Sequence, residues 1–450
     1  MLAAVALGTI LAPLNSTMIA VALPQIMGDF DVDVASAGWL VTSYLIVLAA
    51  LQPVTGKLGD RLGRRRLVLV GLVAFGLASL GAGLAPNLPV LIVFRALQAV
   101  AGAIMLPNGA ALVRDVVPAG RRAHGFGLIG AAAGIAAAVG PALGGLVVGA
   151  AGWRAIFLAN VPIVLAALAL SARVIPRTET RRESPFDLLG SLLVCGVLAG
   201  AAGLLIEGRE SASLPVLVLS SVALAAAFAF LLRHELRHED PVIHPRLFRI
   251  RSFAAATGGV ALSNLAFYTT LLAAPIVLVS QLGWSSVETG LALTVLSAPS
   301  AVLAPIGGRI ADRSGRRVPA VAGHALAAAG LLPLALVADV GPATLLACLG
   351  VSGIGFGLTM ASLQASAIEA VSPEQAGVAA GLFSTSRYLG SIVGSIVLAA
   401  LLTSTGAEVS GFRTLAVVLV AAAFLAALVS LGLRGRPALR PGQAVVSAAR

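Results

Sequence analysis

The sequence predicts an all-α membrane protein with fourteen spans. Of its 450 residues, 58% are hydrophobic and only 11% charged, and the mean hydropathy is +1.00. A hydrocarbon core about 30 Å thick takes about 20 apolar residues per helical crossing, and runs of that length recur along the whole chain between short charged or Gly/Pro-marked breaks. The positive charges are also sorted, alternating between rich and poor loops.

Taken in order, the first expected span, 3–27, opens directly from Met1 without a basic leader and outruns a signal peptide's apolar core, so it is read as retained. Spans at 37–56, 67–85, 89–112, 125–150 and 153–173 follow, broken by "GKLGDRLGRRR", by Pro86 and Asn87, by Arg114 and Asp115, and by Gly152. A pair at 187–206 and 213–232 comes next, and then spans at 252–281, 286–307, 318–338, 342–367, 376–403 and 411–433. The expected division is a six-helix bundle over 1–175, a linking pair with its loop over 176–250, a second six-helix bundle over 251–435 and a tail over 436–450. The loops after spans two, four, six, eight and ten, with the tail, hold 25 of the 30 basic residues; the opposite side holds Arg154, Arg209 and Arg413. By the positive-inside rule those basic loops and both termini are expected in the cytoplasm.

The net charge of +11 would suit nucleic acid, but its carriers sit in short loops rather than along one soluble face, so no nucleic-acid partner is expected. Cys195 and Cys348 lie inside apolar runs and read as small buried hydrophobes, with no disulfide, metal or cofactor role.

An internal repeat organises the chain. Asp60, Arg61, Gly63, Arg64 and Arg65 of "GKLGDRLGRRR" match Asp312, Arg313, Gly315, Arg316 and Arg317 of "GRIADRSGRR" at a constant offset of 252. Further on, "GWR" at 152–154 matches "GFR" at 411–413. Two parallel six-span copies are what a transporter rocking about a central site requires. Charged groups near mid-membrane are costly and so are functional candidates; here these are Arg95, with Gln98 one turn on, and Arg387. Asn15, Tyr44, Gln52, Asn108, Asn264, Tyr268 and Gln364 are polar candidates for the lining of a cavity. In the fifth span Gly130, Gly134, Gly140, Gly144 and Gly145 allow another helix close, and Pro141 favours a kink.

On these residues the chain resembles the major facilitator superfamily, and within it the fourteen-helix drug:proton antiporter family. "GKLGDRLGRRR" is similar to the superfamily's loop signature and "GIAAAVGPALGG" at 134–145 to the antiporter signature; "LNSTMIAVALPQI", "RALQAVAG", "SPFDLLG" and "STSRYLG" fit the same family. The resemblance implies a proton-driven exporter of small amphipathic organic compounds, a monomer in the inner (plasma) membrane whose partners are substrate, protons and lipid. It implies that Gly56, Asp60, Arg61, Gly63 and Arg64, with Asp312, Arg313, Gly315 and Arg316, latch the two halves, with Arg114 and Asp115 as partners. Asn15, Arg95, Gln98 and Arg387 would lie on the proton and substrate pathway, and Gly134, Gly140, Pro141, Gly144 and Gly145 would pack the antiporter helix. One departure stands out: the family's first-helix aspartate is Asn15 here, and an amide takes up no proton in the working pH range. Asp29, Asp115, Glu207, Glu369 and His324 are the other candidate acceptors.

"RHELRHEDPVIH" at 233–244 contains H-E-x-x-H as His234, Glu235 and His238, with His244 beyond. On a soluble enzyme this would suggest zinc hydrolysis, and an intramembrane zinc peptidase is the alternative from another class. Transport of a single metabolite is the alternative within transport. Pro241 stands where a metzincin turns on glycine, so the segment reads as solvated interfacial charge with no metal.

Overall fold

The computed structural model describes residues 2–116, 122–176, 187–207, 214–238, 241, 244–337, 341–372, 375–404 and 409–435. Fifteen α-helices and no strand occur among them. The first half comprises α1 (Leu2–Phe30), α2 (Val34–Leu62), α3 (Arg64–Gly83), α4 (Leu88–Val116), α5 (Arg122–Ala151), α6 (Arg154–Leu158) and α7 (Asn160–Val174). The linking pair is α8 (Leu188–Glu207) and α9 (Leu214–Arg237), followed by a 3-10 turn at Pro245–Arg249. The second half comprises α10 (Arg251–Ser280), α11 (Ser286–Ser314), α12 (Arg317–Leu336), α13 (Pro342–Glu369), α14 (Ala376–Ser404) and α15 (Val409–Ser430). With α6 and α7 counted as one span, thirteen segments are long and apolar enough to cross a membrane. α8, whose apolar stretch Leu192–Ala201 is shorter by that measure, completes the expected fourteen. The sixth span is broken at Ala159 because Pro162 has no N–H to offer the Leu158 carbonyl one turn back.

The expected loops after spans two and ten are almost entirely helical. α2 continues through Arg61 to Leu62 and α11 through Arg313 to Ser314, and each ends on one glycine at positive φ, Gly63 (φ 89) and Gly315 (φ 86). Those amides close the last turns on Gly59 O and Ala311 O, a conformation that glycine adopts without the Cβ penalty. At the other ends, Asp33 caps α2 through Ser36 N and Ser285 caps α11 through Glu288 N. Gly63 and Gly315, and likewise Asp33 and Ser285, stand in the same repeat register. The second repeat holds too: Arg154 Nη2 donates to Ala85 O beyond the end of α3, and Arg413 Nε to Ala335 O near the end of α12.

Packing differs between the two faces. Away from the Gly63 and Gly315 turns, one apolar cluster joins both halves, running from Ile19, Leu23 and Ile26 of α1 through Leu272 and Ile276 of α10 to Leu415 and Leu419 of α15. On the turn side each half has its own cluster: Val5, Leu72, Met105, Leu112 and Val164 in the first, and Phe253, Val260, Leu363 and Phe383 in the second. The halves meet through α5 on α11, α2 on α14 and α1 on α10. Small groups carry this seam: Ser297 Oγ donates to Ala138 O at 3.1 Å, and Thr42 and Ser395 share a hydrogen bond of 2.8 Å. A Cβ added at Gly145 would stand 2.5 Å from Ser286 O and 3.1 Å from the Gly290 Cα.

Gly145→Val should therefore force α5 and α11 apart at the joined face, at a cost of about 1–3 kcal/mol typical of overpacking. Heating the purified protein and measuring the remaining monodisperse fraction should show a lower melting temperature than for Gly130→Val, whose Cβ would meet nothing within 4 Å.

Candidate functional site

Where the shared core gives way to the separate ones lies a layer of polar side chains. Arg95 and Gln98 occupy one face of α4 three residues apart, and both are fully buried. Arg95 donates from Nε to Leu40 O (3.3 Å) and from Nη1 to Gln98 Oε1 (3.0 Å). Its guanidinium carbon stands 4.2 Å from the centre of the Tyr44 ring, while Nη2 has no hydrogen-bond partner. Gln98 is the hub. Its Oε1 also accepts from Asn15 Nδ2 (3.3 Å), its Nε2 donates to Ser79 Oγ (2.7 Å), and Asn160 Nδ2 donates to Asn15 Oδ1 (3.3 Å). Helices α1, α3, α4 and α7 thus meet in one hydrogen-bonded chain. Among the described residues no carboxylate is recorded as bonded to it, so the Arg95 charge is met by a carbonyl, an amide and an aromatic face.

All three tyrosines of the chain belong to this region. Tyr44 lies under Arg95, Tyr268 OH bonds Ser16 Oγ across the seam at 2.7 Å, and Tyr388 OH accepts from Gln52 Nε2 at 3.3 Å, again across the seam. Arg387 Nη2 donates to Tyr388 OH at 3.4 Å. The structure therefore brings Asn15, Arg95, Gln98, Tyr44, Tyr268, Gln52 and Arg387 to the centre and adds Ser16, Ser79, Asn160 and Tyr388, which sequence reasoning missed. Serine and asparagine are common in membrane helices, and nothing in their local pattern marked these four. Asn108 and Asn264 are turned to backbone carbonyls at Thr55, Ile104 and Val260.

Gly140 and Gly144 of α5 face α1, where added Cβ atoms would meet Thr17 and Met18. Gly145 faces α11, the Pro141 carbonyl stands where a Gly290 Cβ would go, and Gly134 lies beside Ala301. α5 is thus held between one helix of its own half and one of the other. The arginines of the repeated turns bind neighbouring helices: Arg64 Nη1 donates to Ala111 O, Arg65 Nη2 to Ala172 O, Arg317 Nε to Leu433 O. Arg316 pairs with Glu369 at 2.6 Å and Asp312 at 2.7 Å. Glu369, with Asp312, holds its guanidinium above the ordinary pKa against the opposing effect of burial. Arg61 and Arg313 are exposed. Gly56 lies within α2, and the side chains of Asp60, Arg114, Asp115, Cys195 and Glu207 fall outside what the structure describes. Of the other candidate acceptors, Asp29 bonds Trp153 Nε1 (2.8 Å) and Arg154 (3.3 Å), and His324 bonds Ser430 (3.1 Å).

The H-E-x-x-H segment departs from its expected character as solvated charge. It lies at the end of α9, where Glu235 is 2% and Asp187, just before α8, 4% exposed. His234 Nε2 lies 2.9 Å from both Asp187 oxygens and His238 Nδ1 lies 3.9 Å away. Burial opposes the Asp187 charge, yet the Gly190 amide and the two histidines outweigh it and hold this carboxyl below the usual carboxylate range. The sequence alone could not pair residues 47 apart, one just before α8 and the other near the end of α9.

Known proteins resemble the chain over nearly its whole length. The family model described as Major Facilitator Superfamily matches residues 5–240 and 256–448. The uncharacterized MFS-type transporter YvkA of Bacillus subtilis is 36% identical, with 95% of this chain and 94% of that protein covered. A tetracenomycin C resistance and export protein of Streptomyces glaucescens is 33% identical, covering 91% of this chain and 76% of its own. In fold, the chain is similar to a bacterial homologue of the human lysosomal transporter Spinster in an inward-facing, unoccupied conformation: TM-score 0.68, 16% identity, 97% of this chain and 98% of the other.

Replacing Arg95 with lysine keeps the charge but removes the planar fork that reaches Leu40 O and Gln98 together. With two hydrogen bonds at about 1 kcal/mol each and the contact with the Tyr44 ring lost, Arg95→Lys should slow transport at least ~10-fold at matched membrane levels. Transport rates of a fluorescent solute, normalised to protein quantified by immunoblot, check this.

Proposed function

We propose a function from one premise: the chain belongs to the Major Facilitator Superfamily and is a multi-pass membrane transporter. In this reading it exports small amphipathic organic compounds across the inner membrane in exchange for protons, as a monomer with both termini in the cytoplasm. Residues 1–175 and 251–435 are the two moving bundles, 176–250 the linking segment and 436–450 a tail. The observation that carries the proposal is the unequal packing of the two faces, one core shared by both halves on one side and two separate cores on the other. With the arginine-rich turns in the cytoplasm, the outer side is the closed one and the halves part towards the cell interior, the state in which an exporter takes up its load. The named resistance and export relative supports the same direction. The Arg95 layer, edged by three tyrosines, supports an amphipathic ligand with an aromatic or electron-rich part over one that brings a cation.

The test is expression in a pump-deficient bacterium challenged with a broad compound panel, with Arg95→Lys as control. Raised inhibitory concentrations for several hydrophobic compounds are expected; unchanged sensitivity with verified membrane insertion would overturn export. In inverted vesicles, uptake of those compounds should follow an imposed pH gradient and stop with a protonophore. Alternating access has its own test in the seam. A Cβ at Gly38 would stand 4.0 Å from that of Ala399, within disulfide reach, so oxidising the Gly38→Cys/Ala399→Cys protein should halt transport and reduction should restore it. Full activity in the oxidised state would contradict a rocking mechanism.

A further inference from the structure

We propose that the linking helices carry a structural divalent-metal site of the zinc class, with Asp187, His234 and His238 as its protein ligands. His234 and His238 are four apart on α9, which places both imidazoles on one face with ring centroids 5.2 Å apart. Asp187 reaches them from the start of α8, and one ligand atom from each residue lies within 4.8 Å of the other two. Zinc bound at about 2.0–2.1 Å sets tetrahedral ligand atoms roughly 3.3 Å apart. The two carboxylate–imidazole separations, 2.9 Å and 3.9 Å, bracket that value, and all three ligand atoms lie within 4.8 Å of one another. The donor set, two imidazoles and a carboxylate, suits zinc, cobalt or nickel rather than magnesium or calcium. An outer shell is in place as well, since Gly190 N donates to Asp187 Oδ1 at 2.7 Å and orients the carboxylate.

A further observation fits a cation here. An open cavity of about 290 Å³ lined by Phe230, Arg233, His234, Arg237 and His238 gives solvent a path to both imidazoles and leaves room for a coordinated water. Arg233 and Arg237 are exposed there, where water and salt screen them. Glu235 does not line that cavity; it faces the α8 contact and cannot act as base on the open side. The site is therefore a staple between α8 and α9, not a hydrolytic centre.

The test uses full-length protein purified through a tag without histidine, stripped with EDTA and titrated with Co²⁺. A single Co²⁺ per chain with intense visible d–d absorption is expected, displaced by Zn²⁺, and Zn²⁺ should raise the melting temperature. His234→Ala and His238→Gln should each weaken binding ~100-fold or more and abolish the thermal shift. Asp187→Asn, which keeps an oxygen for the Gly190 amide, should weaken it in the same way, and all three must elute monodisperse. Absence of Co²⁺ binding to the wild type, or variants that keep its stoichiometry and affinity, would overturn the site. None of these readouts involves transport, so the failure of one proposal leaves the other standing.

Discussion

Lipid offers an apolar side chain nearly as good a neighbour as another helix does, so which helices touch inside a membrane is decided largely by how closely their backbones approach. At the face where the halves join, that approach is set by Gly145 of α5 and Gly290 of α11, each lying where the other's Cβ would have to go. The same device works inside the second half, where an added Cβ at Gly353 would collide with Leu296 O. A seam of glycines, serines and threonines has a useful property. It packs densely when closed yet exposes little large apolar surface when opened, so the two states can lie close in free energy. The hydrogen bonds across it, among them Thr42 to Ser395, Ser16 to Tyr268, Ser297 to Ala138 O and Gln52 to Tyr388, are single and exchangeable for water.

The polar layer obeys the opposite rule. A guanidinium at zero exposure, with no carboxylate bonded to it among the described residues, is held because its N–H groups find a carbonyl and an amide oxygen and its face finds a ring. Gln98 receives Arg95 and Asn15 on one oxygen, so any change that displaces or hydrates one partner is felt by the other. With an asparagine on α1, the arginine and the tyrosine are the titratable members of the network among the described residues. An electron-rich ligand facing the open Nη2 would meet that charge without having to compete with a protein anion.

Much of this was readable from the sequence, for reasons that particular residues make clear. Span positions followed from the bilayer's length requirement, and α3, α10 and α13 begin within three residues of the expected spans. Arg95 and Gln98 were legible because a charge in an apolar run has few roles. The turns were only half legible. Gly63 and Gly315 were recognised, but the charged residues before them were read as loop, because hydropathy marks where the hydrocarbon ends and not where the helix does. Asp187 was invisible as a partner of His234. It precedes a different helix, and H-E-x-x-H by itself does not reveal whether its glutamate faces water or a neighbouring backbone.

The linking pair shows what the seam demands of its surroundings. In its spanning segment only 6% of the residues of α9 are buried, and it packs against α8, while α8 touches both α2 and α14, one helix from each half. A helix resting across a seam that opens can hold firmly to one side only. Ala50 of α2 closes a small apolar cluster with Val194 of α8 and Leu231 of α9, so in the proposed rocking the pair would stay with the first half and α14 would move past it. If α9 is to travel with α8 rather than drift into the bilayer, something stronger than aliphatic contact has to join them. The buried Asp187 carboxylate, bonded to His234 across the two helices, is the strongest polar contact the described residues place there.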